Sequence, residues 1–456
     1  MKTNGTTVVV GAGISGLYAA LQLKQRGRDV RILERQSHPG GLAGAHQFRG
    51  VPCDLGSHRI HPDALVHPLF AALEQRGEML IRPRRGRLVL GQRHLKYPPN
   101  AMALLGTLGP VATAAFAFDL LTQPARRRAW SAWERERARA RRQEDDIGFA
   151  DFVSSRVGNK AYQAFYRPYA EKVWGLPAEE LSQTVAKKRF SFSRPLTLIQ
   201  GRVGRLLQRA SRGPIEKSER FAYPAGGISS IIDYLLSELA ERGVEPEYGA
   251  KFEPNGSSGP VLFSGNIADL VDTELEHRGI YLVYLALPTS KIDEVETYYS
   301  PDPDYWFGRV ADLQNYSPEL HRGDETVLCV EIPEGAWGPD QDFTKGAKRD
   351  TLVGQLQRAR IIPEKMEPVA ADQVYLSHVY PLYRRGWLKQ WRETLRRIDA
   401  LPYEAMPFGR QGLFLHCNLD HCAAIADDVV EHVSQGRPAA DWLAGAEKYI
   451  DLRVRD

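Results

Sequence analysis

The chain alternates short β-branched runs with longer apolar and amphipathic segments. Thr6 to Val10 and Val30-Arg31-Ile32-Leu33 predict two buried strands, and the apolar stretch around Leu17-Tyr18-Ala19-Ala20 predicts a helix between them. Arg82 to Pro99 reads as strand, turn and strand, and a mostly helical insert follows to about residue 200. Ser229 to Arg242 has the spacing of an amphipathic helix, and a strand, Pro260 to Gly265, comes soon after it. Further strand-like runs are Ile280 to Leu287, Thr326 to Ile332 and Val374 to Val379, with Tyr380 to Tyr383 closing the last; a helix is expected from Cys422 to Ser434.

One stretch departs from this rhythm. Ala101 to Phe118 is apolar throughout and about long enough to span a bilayer. Gly106, Gly109 and Pro110 interrupt it and Asp119 follows, so buried cap helices are expected, with a membrane segment or a monotopic membrane contact as the alternatives. The arginines between Arg126 and Arg142 read as a solvated helix face, the alternative being an anion or membrane-surface contact.

Bulk properties change the picture little. The chain has 456 residues, enough for two or three domains, and a net charge of only +4. Nucleic acid is not an expected partner; a small molecule is, and a homodimer stays open. Cys53, Cys329, Cys417 and Cys422 are scattered, without a CxxC pair, so neither a disulfide framework nor a metal site is expected, and a reducing, cytoplasmic location fits.

The chemistry is carried by glycines. Gly11, Gly13 and Gly16 follow the first strand directly and open the helix. Gly11 permits the tight turn, Gly13 lets a pyrophosphate approach, and Gly16 packs helix on strand. Amides of Ile14 and Ser15 at the helix start then face the phosphates. Glu34 ends the second strand, where a ribose hydroxyl would be held, and Arg35 follows. A second cluster, Gly40-Gly41-Leu42, is not part of a plain nicotinamide fold.

Together these motifs resemble the FAD family that includes amine oxidases, protoporphyrinogen oxidases, phytoene desaturases and UDP-galactopyranose mutases. The resemblance implies an α/β fold: a two-dinucleotide-binding, Rossmann-like FAD domain, a mixed-sheet substrate domain and a helical insert. It divides the chain into an FAD domain in three parts (1–90, 216–275 and 401–440), a helical cap (91–215), a substrate sheet (276–400) and a tail (441–456). FAD is expected to be bound non-covalently.

The same resemblance implies site residues. Gly56 and Ser57 would pass the isoalloxazine, with His58, Arg59 and His61 near its reactive edge. The block Phe165 to Pro177 is similar to one in the mutases and places Tyr166, Tyr169, Lys172 and Trp174 in a substrate cleft; a core role for this aromatic set is the plainer reading. Arg309 resembles a family arginine pointing into the cleft, and Tyr383 and His416 are further substrate candidates. Arg410, Asn418, Leu419 and Asp420 belong to a closing motif that returns to FAD. The shortened stretch from Gly249 to Gly259 also resembles prokaryotic mutases. Two functions follow: hydride transfer from an anionic or ring-containing small molecule to flavin, or redox-neutral nucleotide-sugar isomerisation. Phe414 and His416 stand where mutases place tyrosines, which puts the oxidoreductase ahead.

Overall fold

The computed structural model describes residues 5–97, 147–189, 220–253, 259–321, 323–335 and 337–454, together with 109, 111, 114, 115, 118 and 119. Most of the Ala101–Phe118 stretch, the Arg126–Arg142 run and most of the insert lie outside the described residues, as does part of Gly249–Gly259.

Two sheets carry the architecture. The first has five parallel strands in the order Ala405–Pro407, Val261–Phe263, Thr7–Val10, Val30–Glu34 and Pro246–Tyr248. Strands buried on both faces need continuous apolar runs, and Val8 to Val10 and Val261 to Phe263 supply them. The first helix, Ile14–Gln25, buries Leu17, Tyr18, Leu21 and Leu23 against this sheet. Each such side chain contributes about 1.5–3 kcal/mol. The closing helix, Leu419–Ser434, packs beside it and starts three residues before the position read from the sequence. Asn418 caps it in a capping box with His421, which is why it begins there.

The second sheet is mixed and has seven strands. Its order is Ala370–Pro381, His277–Leu287, Thr326–Pro333, Arg309–Asp312, Thr297–Tyr299, Arg87–Leu90 and Arg93–Lys96. Adjacent strands are antiparallel except the pair Thr297–Tyr299 and Arg87–Leu90. One face packs Tyr281, Val283, Val310 and Val330 against the helix Gly346–Arg358. The other joins the core beneath the dinucleotide fold through Leu282, Tyr284 and Cys329. The strand, turn and strand expected from Arg82 to Pro99 is the antiparallel pair Arg87–Leu90 and Arg93–Lys96, and before it Met79–Pro83 pairs with Arg220–Pro224. Among the described residues no helix is long and apolar enough to cross a membrane.

Candidate functional site: a dinucleotide cavity between the two sheets

A cavity of about 600 Å³ runs from Glu34 and the glycine clusters to Arg309 and Tyr380. At its first end the glycines do three separate jobs. Gly11 has φ +102°, open to glycine and strained for other residues. A Cβ on Gly16 would stand 1.8 Å from the Gly11 carbonyl oxygen, so the helix can cross the strand only there. A Cβ on Gly13 would meet nothing closer than 3.7 Å; that position is open toward the cavity it lines. Gly40 and Gly41 also have positive φ, and Gly40 bridges to Gly13. The two clusters thus form one floor, with Ile14, Ser15 and Leu42 beside it.

Glu34 braces this floor. Its Oε2 accepts from the Ala12 amide at 2.7 Å and its Oε1 from the Gln36 amide at 2.8 Å. Each oxygen keeps a lone pair for a ribose hydroxyl. Arg35 lines the cavity but pairs with Asp269 at 3.0 Å.

The middle of the cavity is the turn Gly56-Ser57-His58. Glu331, buried in the Thr326–Pro333 strand, accepts from the Ser57 amide at 2.7 Å and from Ser57 Oγ at 2.8 Å. The same carboxylate holds Arg309 in a bidentate pair, which keeps it charged and its pKa low despite burial. Sequence reading missed Glu331; its signal was a lone acid inside the apolar run Val327 to Ile332. The His58 Nδ1 lies 3.1 Å from the Gly56 carbonyl oxygen, so Nδ1 carries the hydrogen and Nε2 keeps its lone pair. Burial and the neighbouring Arg309 lower its pKa to about 4, so the ring is neutral near pH 7.

At the far end Arg410 donates to the carbonyls of Cys417 at 2.8 Å and Val379 at 2.7 Å, and to His416 Nδ1 at 3.0 Å. Burial and the surrounding cations hold the His416 pKa well below its usual value. The neutral ring therefore carries its hydrogen on Nε2, and that donor has no partner among the described residues. Asn418 and Leu419 line the same end, at the N-terminus of the closing helix.

Several expected site residues are engaged within the protein or lie elsewhere. Arg59 lines the cavity, but its guanidinium is spent on Glu296, Thr297 and Tyr299 and sits over the rings of Phe221 and Tyr316. The His61 ring caps a short helical turn by accepting from the Asp63 amide. Lys172 reaches the carbonyls of Ser300, Asp302 and Phe307, so its three donors are consumed in fastening the Arg167–Trp174 helix to the second sheet. Trp174 is buried against Tyr380, and Tyr166 and Tyr169 pack on the core. Tyr383 is buried, donates to the Phe414 carbonyl and accepts the His416 amide. Phe414 packs on His277, Tyr383 and Trp387, outside the cavity wall. Gly16 lies beneath the floor, and Asp420, in the first turn of the closing helix, does not line the cavity. The four cysteines are free.

A family model for an NAD(P)-binding Rossmann-like domain matches residues 9–73. The probable UDP-galactopyranose mutase of Klebsiella pneumoniae is 25% identical over 197 residues, 41% of this chain and 47% of that protein. Coproporphyrinogen III oxidase of Propionibacterium freudenreichii subsp. freudenreichii is 26% identical over 300 residues, 57% of this chain and 54% of that protein. The chain spans about half the length of these curated relatives. Among solved structures, reduced UDP-galactopyranose mutase superposes with a TM-score of 0.75 at 17% identity, covering 98% of this chain and 99% of that one. The protein is a mixed α/β chain with a Rossmann-like dinucleotide-binding domain, folded as flavin-dependent oxidoreductases and mutases are.

Proposed function

We propose that the protein is an FAD-dependent oxidoreductase that takes a hydride from a ring-containing small molecule. The observation that carries this reading is the wall facing Ser57 and His58. Ile280, Leu282, Val374, Leu376 and Tyr380 line it, and the Arg309 charge beside them is matched by Glu331. Such a wall suits a largely apolar ring held flat and dry; a sugar diphosphate needs cations not already spent on the protein.

The residues fit FAD. Gly13, Gly40 and Gly41 leave backbone open to a pyrophosphate, Glu34 is placed for a ribose, and the unpaired His416 donor awaits an acceptor. Bound there, the cofactor supplies the two-electron hydride acceptor. The chain's part is to hold and to bias. The N-terminus of the closing helix favours negative charge beside it. Glu331 fixes the Ser57 turn, and His58 offers a neutral ring nitrogen as hydrogen-bond acceptor.

A second reading, a redox-neutral mutase, draws on the end-to-end superposition with reduced UDP-galactopyranose mutase. One experiment separates the two. The oxidoreductase bleaches its own oxidised flavin anaerobically when given substrate, and an acceptor restores the yellow band. Many turnovers of a nucleotide sugar by dithionite-reduced protein, with no net electron transfer, would reverse the ranking.

A further inference from the structure

Cys417 and Cys422 flank the start of the closing helix, one just before its cap Asn418 and one in its first turn. Their sulfurs are 3.7 Å apart, and both residues line the cavity. A disulfide needs about 2.05 Å between sulfurs, so closure asks for well under 2 Å of approach. The backbone around the pair is held from both sides: the Cys422 amide donates to the Asn418 carbonyl at 3.0 Å, and Arg410 donates to the Cys417 carbonyl at 2.8 Å. Rigid framing at this separation favours a bond within the pair over bonds to anything else.

The surroundings are those of a reactive thiol. A buried cysteine in apolar packing is inert, whereas a thiol at a helix N-terminus beside a guanidinium is activated. Cys422 is itself buried, but the hydrogen bond from Cys417, and then the Arg410 charge, hold its pKa below the usual value, and it sits in the first turn of the closing helix. Cys53 and Cys329 make the contrast: burial pushes both thiols up, Cys53 to about 12. The cavity that both cysteines line also carries the exposed residues Arg35, Gln36 and His378, so it is open to solvent.

We propose that Cys417 and Cys422 form a redox-active thiol pair that closes to a disulfide by exchange with a low-molecular-weight disulfide. The Cys422 thiolate attacks one sulfur of the reagent, forming a mixed disulfide and releasing one thiolate. Cys417 then loses its proton and attacks the Cys422 sulfur, releasing the second. Two protein thiols are oxidised and one reagent disulfide is reduced to two thiols. The bond staples the segment carrying His416 to the first turn of the closing helix, so the pair's state acts on the cavity wall itself.

The test is independent of whether the protein is an oxidoreductase or a mutase. The protein as isolated is incubated with bis(2-hydroxyethyl) disulfide, freed of reagent, denatured in the presence of the alkylating agent and mapped by mass. The free-thiol count is expected to fall from four to two, with the fragment bearing both 417 and 422 lighter by two hydrogens and unalkylated. Cys417→Ser should instead accumulate mercaptoethanol on Cys422. A count that stays at four, or losses at Cys53 and Cys329 with 417 and 422 alkylated, overturns the proposal. A Cys417→Ser protein that takes up no mercaptoethanol removes Cys422 as the attacking thiol and overturns the step as written.

Discussion

Arg309 and Glu331 form a buried bidentate ion pair, with Nη2–Oε2 at 2.7 Å and Nε–Oε1 at 2.8 Å. The same Glu331 oxygen takes both Ser57 donors, so one carboxylate ties the second sheet to the turn that crosses the cavity. Arg309 is therefore a structural cation first. Arg309→Met leaves Glu331 buried without its partner, and loss of one member of a buried pair costs about 3–5 kcal/mol. Urea unfolding should show that loss, and Arg309→Met/Glu331→Leu should recover most of it. Because Glu331 has its pKa depressed in the fold, its contribution is present above the carboxylate's unfolded pKa and fades as pH falls below it. A wild-type unfolding midpoint for Arg309→Met would refute the pair's structural role.

The glycine floor makes two opposite predictions. Gly13 has room for a Cβ, so Gly13→Val should fold with a near-native midpoint yet lose its flavin, because the branches fill cavity rather than core. Gly16 has none: Gly16→Ala drives a methyl into the Gly11 carbonyl and should destabilise by about 1–3 kcal/mol or more. Absorbance at 450 nm against protein, measured beside thermal unfolding, separates a binding defect from a folding defect. Unchanged flavin content in Gly13→Val would remove the cofactor assignment.

These contrasts show what the sequence could and could not carry. The first strand, the glycine spacing and Glu34 were legible because each is a local device, encoded within a few residues of the turn it shapes. The central strands of the second sheet, His277–Leu287 and Thr326–Pro333, were legible as apolar runs. Ser57 and Glu331 were not paired in advance because 274 residues separate them. Lys172 was misplaced for a related reason. Its spacing beside Tyr169 and Trp174 is the same whether the helix lines a cleft or caps a sheet edge. Only the three carbonyls at Ser300, Asp302 and Phe307 decide which.

His58 gives a pH prediction with a definite sign. Its pKa is about 4 in the fold against 6.5 when free, so between these values the unfolded chain binds more protons. Stability from this group is full above pH 6.5 and is lost as pH falls toward 4. Buried Asp54 and Asp312, raised to about 7, pull the opposite way and mask the effect in wild type alone. The difference between wild type and His58→Gln cancels them. The wild-type advantage should shrink by about 1–3 kcal/mol from pH 6.5 to 4, the half-buried ring giving less than full desolvation. A difference constant with pH would show that His58 titrates normally.

The last prediction concerns His416, whose relative exposure is only 5% and whose Nε2 hydrogen has no partner among the described residues. A buried donor left unpaired costs about 1–3 kcal/mol, and a fold keeps such a group where something else satisfies it. His416→Phe removes the donor and keeps a flat ring against Tyr380, so the ligand-free protein should be as stable as wild type or more so. The same change removes Arg410's acceptor, but Arg410 keeps the carbonyls of Cys417 and Val379. Ligand binding should move the other way: losing one hydrogen bond of this kind weakens affinity by about 1 kcal/mol or more, roughly fivefold at least. Stability of the stripped protein and affinity for added FAD, and for substrate once found, are measured on the same preparations. A variant that loses stability while keeping affinity would mean that the His416 ring serves the core alone; opposite movement of the two quantities is the signature of a donor kept for a ligand.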